Sequence, residues 1–205
     1  MSIITRAKNI LLSPNTEWNA ISSEIETPGS LLKKYVIPMS LIPAVALFIG
    51  YGLIGVDAFL FKISGVRWGL AMAINSFLVS IIGYYICTYV VDALAASFAS
   101  EKNLGRSAQL VAYSYTASWV AGIFYILPSL AILAILGLYG VYLFYTGLPV
   151  MKKTPDDKRI GYLIVSILVI IVVFFVVNLI LSKIMWQITG NPFEPAGGLQ
   201  DLRWR

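Results

Sequence analysis

The sequence predicts an all-α integral membrane protein, a bundle of five transmembrane helices with short amphipathic helices before it on the cytoplasmic face. Three observations carry that prediction. Between Arg106 and Lys152 about 45 consecutive residues carry no charge, enough apolar length for two crossings of ~20 residues each. The whole chain is 59% hydrophobic and 12% charged, where ordinary soluble domains carry about a quarter charged residues. The apolar runs show no period-two polar alternation, so helices are what remains to satisfy backbone groups in hydrocarbon.

The elements follow in order. Residues 1–34 form a cytosolic segment in which Ile3, Ile4, Ala7, Ile10 and Leu11 recur at helical spacing with Arg6, Lys8 and Asn9 between them, the pattern of a helix lying at an interface or under a bundle. Ser13 before Pro14 reads as an N-cap and first helical position of a second helix, with Trp18, Ile21 and Ile25 on one stripe. Five apolar runs then make a bundle over 35–182, at about 35–56, 69–96, 108–127, 129–150 and 160–181. Gly50, Gly52 and Gly55, with Pro38 and Pro43, make the first run the one expected to bend.

The break between the third and fourth runs is Leu127-Pro128-Ser129, where proline lacks a backbone donor and disfavours helix at the preceding residue. A tight helical hairpin is expected there, because a single helix of ~44 residues would be roughly 65 Å long, twice the bilayer core. Gly137, Gly140 and Gly147 would let a neighbouring helix approach the fourth run closely. Residues 183–205 remain as an extracytoplasmic tail.

Orientation follows from Lys and Arg, which are retained on the cytoplasmic side of short loops. Arg6, Lys8, Lys33, Lys34, Lys102, Arg106, Lys152, Lys153, Lys158 and Arg159 fall on one face, while Lys62, Arg67, Lys183, Arg203 and Arg205 fall on the other. The N-terminus is therefore expected inside and the C-terminus outside. No cleaved secretory signal is expected, since the first ~30 residues mix polar and apolar types and include Pro14 and Pro28.

Composition also removes function classes. The chain has no histidine and one cysteine, Cys87, which excludes Ser-His-Asp and Cys-His nucleophile systems, His-ligated zinc and an internal disulfide. No enzyme activity, cofactor or metal is expected. The net charge of +5 sits in short segments flanking apolar runs, as contact with anionic lipid headgroups requires, so nucleic acid is not an expected partner.

Candidate polar groups inside the spans are Asp92, Asn75, Gln109, Tyr113, Tyr115 and Asn178. An intramembrane carboxylate costs several kcal/mol unless paired, and Asp92 lies ~23 residues past Gly69, roughly 34 Å along a helix and so near the cytoplasmic interface. Lys102 and Arg106 follow it and are available partners; an ion pair, a polar pocket and an ion path all remain open for it. Asn75 and Asn178 are expected to bond across helices, and Cys87 to fill space. Candidate cytosolic docking residues are Lys102, Arg106, Lys152, Lys153, Asp156, Asp157, Lys158 and Arg159. In the cluster from Lys152 to Arg159, Thr154 can cap, Pro155 can take the first helical position, and Asp156 and Asp157 suit the positive helix start.

Three blocks resemble the Yip family of Rab-interacting-type membrane proteins, and in particular its shorter bacterial members. They are RAKNILLSPNTEWNAI from Arg6 to Ile21, AYSYTASWVAGIF from Ala112 to Phe124, and YGVYLFYTGLPVMKKTPDDKRIGY from Tyr139 to Tyr162. The resemblance implies a five-span bundle with a cytosolic N-terminus in a bacterial inner membrane. Eukaryotic relatives carry an Asp-Leu-Tyr-Gly-Pro type motif before the first span; here the stretch from Glu26 to Pro38 reads ETPGSLLKKYVIP, so Rab binding is not carried over. Where relatives often place a proline after the tyrosines of the second block, this chain has Ala117.

Two functional readings result. One is a non-enzymatic Yip-type protein that organises membrane or binding partners through its cytosolic face, with the lipid bilayer, other membrane or cytosolic proteins and further copies of itself as partners. The other is a small transporter or channel-like protein for an ion or small solute, using Asp92, Asn75 and Gln109.

Overall fold

A computed structural model describes residues 2–58, 61–63 and 65–189; the tail expected over 183–205 lies outside the described residues from Gly190 onward. Apart from one antiparallel ribbon of two short strands, β1 (Val56–Ala58) and β2 (Phe61–Ile63), paired in register Val56↔Ile63, the described chain is built of helices and their connections.

Two short helices lead. Helix α1 (Ile3–Leu12) is capped by Ser2, whose side chain accepts from the Thr5 N–H. Helix α2 (Pro14–Ser22) begins with proline at its first position, but Ser13 makes no side-chain cap bond; the proline removes one of the orphan donors a cap would satisfy. The faces also differ from expectation. The charged Arg6 is buried with Ala7 and Ile10, while Ile4 and Leu12 point outward and Ile25, beyond the end of α2, is 93% exposed. A buried Arg on the inner face means these helices are packed by polar bonds as well as apolar contact, not by an apolar stripe alone.

Among the described residues, four helical stretches are long and apolar enough to cross a membrane: Pro28–Ile54, Val66–Phe98, Pro128–Lys152 and Asp156–Ile184. The first joins α3 (Pro28–Leu31) to α4 (Ile37–Leu47) through a π-helical turn at Leu32–Val36 and ends in another at Phe48–Ile54. Widened turns suit this sequence, because Pro38 and Pro43 cannot donate and crowd the carbonyl four residues back. Helix α5 (Val66–Leu94) runs back against it, extended by a 3-10 turn at Ala95–Phe98. The two touch at backbone level: a Cβ on Gly69 would lie 2.3 Å from the Gly52 Cα, so glycine is required at this crossing.

The segment anticipated as a third span, 108–127, is helical but not continuous. Helix α6 (Leu104–Ser114) stops at Tyr115, α7 (Thr116–Ala121) resumes, and a 3-10 piece covers Gly122–Ile126. Leu127 is extended and Pro128 starts the return, first as a 3-10 stretch at Pro128–Leu138 and then as α8 (Tyr139–Lys152). The stretches on the two sides of Leu127 pack against each other along their length, α6 on α8 and α7 on Pro128–Leu138, so the chain turns as a hairpin. Helix α9 (Asp156–Thr189) ends the described fold and lies mainly on α5.

The packed core lies at one end of this bundle. There Trp18 and Ile21 of α2 meet Leu31, Tyr35, Leu110, Leu143 and Leu148, all fully or almost fully buried. Along the rest of the bundle large apolar side chains face outward, among them Val45, Leu70, Ile132, Ile135, Leu168, Ile171 and Phe175, the surface expected of helices in hydrocarbon.

Candidate functional site

The packed end holds two clusters of ionisable groups. Lys152, the last residue of α8, is completely buried and Asp92, near the end of α5, is 8% exposed. The ammonium donates to Asp92 Oδ1 at 3.1 Å, to Ser107 Oγ at 2.7 Å and to the Asn103 carbonyl at 3.3 Å, so each of its three protons has an acceptor. Ser107 in turn donates to Asp92 Oδ1 at 3.0 Å. A cation suits the C-terminal end of α8 and an anion does not suit that of α5, so Lys152 supplies the counter-charge for a carboxylate at this place. Sequence proximity had offered Lys102 and Arg106 as partners of Asp92; the fold brings the residue 60 positions away instead.

Around this node the connecting loops are stitched together. Ala99 and Lys153 both adopt the left-handed conformation, turning the chain after α5 and after α8. The Glu101 N–H donates to the Lys152 carbonyl at 2.7 Å, and the Lys153 ammonium meets the Glu101 carboxylate at 2.7 Å. The Lys153 hydrogen bond, with its charge, holds the Glu101 carboxyl below its ordinary range. Thr154 does not cap α9: its hydroxyl donates back to the Leu148 carbonyl at 3.2 Å and accepts from Ser100 at 2.9 Å. It closes α8, and α9 starts at Asp156.

A second polar cluster fixes the N-terminal helices. Arg6 forks between Glu17, at 2.5 Å, and Glu24, and lies over the Tyr113 ring at 5.6 Å. Asn9 donates to the other Glu17 oxygen at 3.1 Å. From α6, Gln109 donates to the carbonyls of Ile21 and Glu24 at 3.3 and 3.0 Å, and Arg106 donates to the Glu24 carbonyl at 3.1 Å and to Gln109 at 3.1 Å. The Trp18 indole donates to Thr146 at 3.2 Å. Farther along, Glu26 meets Lys34 at 3.2 Å, and a Ser30 hydrogen bond followed by Lys34 keeps its carboxyl below the ordinary range.

These placements sort the sequence candidates. Asp92, Gln109 and Tyr113 come together at the packed end, but as members of internal networks. Tyr115 sits deeper, its hydroxyl 3.0 Å from the Cys87 sulfur. Asn178 is exposed and donates to its own helix at Phe174, 2.8 Å, so it bridges no helices. Asn75 has a buried side-chain oxygen without a partner. Of the docking candidates, Lys152 is removed from the surface altogether and the Arg106 guanidinium bonds to the α2–α3 segment, whereas Lys102, Lys153, Asp156, Asp157 and Lys158 are exposed. Arg159 pairs with Asp156 and covers the Tyr145 ring at 5.2 Å. The Arg6–Glu17–Glu24 fork was not anticipated; the one signal for it was Arg6 standing four residues before Ile10, on the same helical face.

Apart from Arg6, both clusters fall within one region of similarity. The profile of the Yip1 domain matches residues 8–177. The chain belongs to the Yip1 family. No curated protein and no solved structure matches it. As a Yip1 family member with four long apolar helices it is an integral membrane protein in contact with the bilayer.

Proposed function

We propose that this Yip1 family member is a non-enzymatic five-span protein of the bacterial inner membrane, N-terminus cytosolic and C-terminus extracytoplasmic, that organises membrane or binding partners through its cytosolic face. One observation carries the reading. The Lys152–Asp92–Ser107 node and the Arg106 and Gln109 bonds tie both loops and the N-terminal helices into one body. That body still presents Lys102, Lys153, Asp156, Asp157 and Lys158 outward. Rigid elements hold an interaction surface with little ordering cost on binding. The hairpin course of 104–126 and 128–152 supports counting five crossings. The transporter reading gains less support, because Asp92 and Gln109 are consumed by internal bonds where a path would need them turned towards a passage.

Charge reversal tests the reading. The variant Lys102→Glu/Lys158→Glu, which spares the Lys153–Glu101 pair, is expected to lose the proteins that crosslink to the wild-type chain in native membranes, while its thermal midpoint in detergent stays close to wild type. An unchanged crosslinked set would overturn the role of this face. A reporter fused after Arg205 tests orientation separately: cytosolic signal would refute the C-out arrangement.

A further inference from the structure

A groove of about 500 Å3 runs between the Pro128–Lys152 helix and α9, within the ~300–1,000 Å3 range of small-molecule sites. It exists because α9 leans on α5 and leaves the Pro128–Leu138 stretch. Its sides come from Ala134, Gly137 and Gly140 on one helix and Ile167, Ile170 and Ile171 on the other, and its open edge carries the exposed Ile135, Leu138 and Ile171. Such an opening faces hydrocarbon.

Two polar groups in this apolar setting have no partner. Ser114 and Ser166 line the groove at 4% and 0% exposure, and neither hydroxyl oxygen has a hydrogen-bond partner. Serines on membrane helices ordinarily bond a carbonyl of the preceding turn or one on a neighbouring helix, as Ser118 nearby bonds the Gly137 carbonyl at 3.2 Å. In hydrocarbon no water replaces the missing partner. None of the described residues lining the groove is charged, so nothing there balances a phosphate or a carboxylate.

We propose that the groove is a binding site for a neutral glycerolipid of the diacylglycerol class, with an acyl chain along Leu138, Val141 and α9 and its ester or hydroxyl oxygens hydrogen-bonded to Ser114 and Ser166. The site lies away from the exposed cytosolic loops and does not depend on their role. The shape selects the chain, and the two hydroxyls together with the missing charge select the head.

The test reconstitutes the full chain in phosphatidylcholine vesicles doped with a diazirine-bearing diacylglycerol, photolyses it and maps adducts by mass spectrometry. Adducts are expected to concentrate on peptides covering 134–141 and 166–171 and to exceed those from diazirine-bearing phosphatidylcholine at equal dose. In Ser114→Ala/Ser166→Ala, groove labelling falls about tenfold, the effect of losing one or two neutral hydrogen bonds. Ala134→Trp fills the groove and abolishes labelling, and Ile171→Trp at the rim does the same if the first variant fails to fold; Leu179→Trp, on the outer face of α9, leaves it unchanged. Equal labelling by the two lipids, labelling spread evenly along α9, or a groove crosslinked to a protein segment would each overturn the proposal.

Discussion

Removing Asp92 alone is expected to damage the protein more than removing Asp92 and Lys152 together. In Asp92→Leu the buried ammonium keeps two neutral acceptors, Ser107 and the Asn103 carbonyl, and loses its only counter-charge in the node. Breaking a buried pair in this way costs about 3–5 kcal/mol. In Lys152→Met the carboxylate keeps the Ser107 donor and its 8% exposure but stands at a helix C-terminus unneutralised, for a loss of about 2–4 kcal/mol. The double variant leaves no charge in the interior and fills the space with apolar groups, so it should lie within about 1 kcal/mol of wild type. The coupling between the sites is then at least about 4 kcal/mol, and thermal midpoints in one detergent read it at roughly 2–4 °C per kcal/mol for a chain of this size. Single-variant losses that simply add in the double variant would refute the node as a coupled pair. So would an Asp92→Leu protein as stable as wild type.

Three further outcomes are expected. Trp18→Ala should cost about 3–5 kcal/mol, because the fully buried indole also loses its bond to Thr146, and limited proteolysis should then cut between α1 and α2 while the long helices stay protected. A Cβ on Gly50 would lie 2.0 Å from the Tyr125 carbonyl oxygen, so Gly50→Ala should lower stability by about 1–3 kcal/mol or more; Gly29→Ala, in helix α3 where nothing lies within 4 Å, is the control that should leave the thermal midpoint unmoved or slightly raised. The carboxyls of Glu26 and Glu101 are held below their ordinary values, so their contribution is present above the unfolded carboxyl range of about 4.3 and is lost as pH falls through the folded values; Lys34→Ala with Glu101→Gln should flatten the acid limb of a midpoint-against-pH curve, and an unaltered limb would refute the assignment.

The long apolar helices were legible because lipid imposes one demand, internal backbone bonding, over a length that the sequence displays directly. Pro128 was legible as the hairpin break for a similar reason, since a missing donor acts locally. What the pattern could not display is the discontinuity at Tyr115. There is no proline or glycine at that point, and residues 107–114 are buried on every side, so hydropathy reads the same whether the surroundings are lipid or protein. The N-terminal helices were legible only in part. The stripe of Ile3, Ile4, Ala7, Ile10 and Leu11 leaves a face on lipid and a face under the bundle both open; what it does not display is that the packed face contains Arg6, whose charge finds Glu17 and Glu24, the second of them 18 residues along the chain.

The same distinction governs the site. Asp92 was visible as a carboxylate that its span could not tolerate alone, and Lys152 as a cation at the end of another span, but nothing in either local sequence says that the ends of α5 and α8 meet. Charge statistics favoured pairing with Lys102 and Arg106 because those are near in sequence. The glycines resolve it, acting through packing: a Cβ on Gly140 would lie 2.7 Å from the Ser114 carbonyl oxygen and one on Gly147 would lie 2.5 Å from Leu110, so α8 settles against α6 closely enough to carry Lys152 beside Ser107, and Ser107 beside Asp92. Lys152, expected on the docking surface, thus becomes the centre of the interior, and the surface that remains for partners is the rim of loops that the buried pair holds in place.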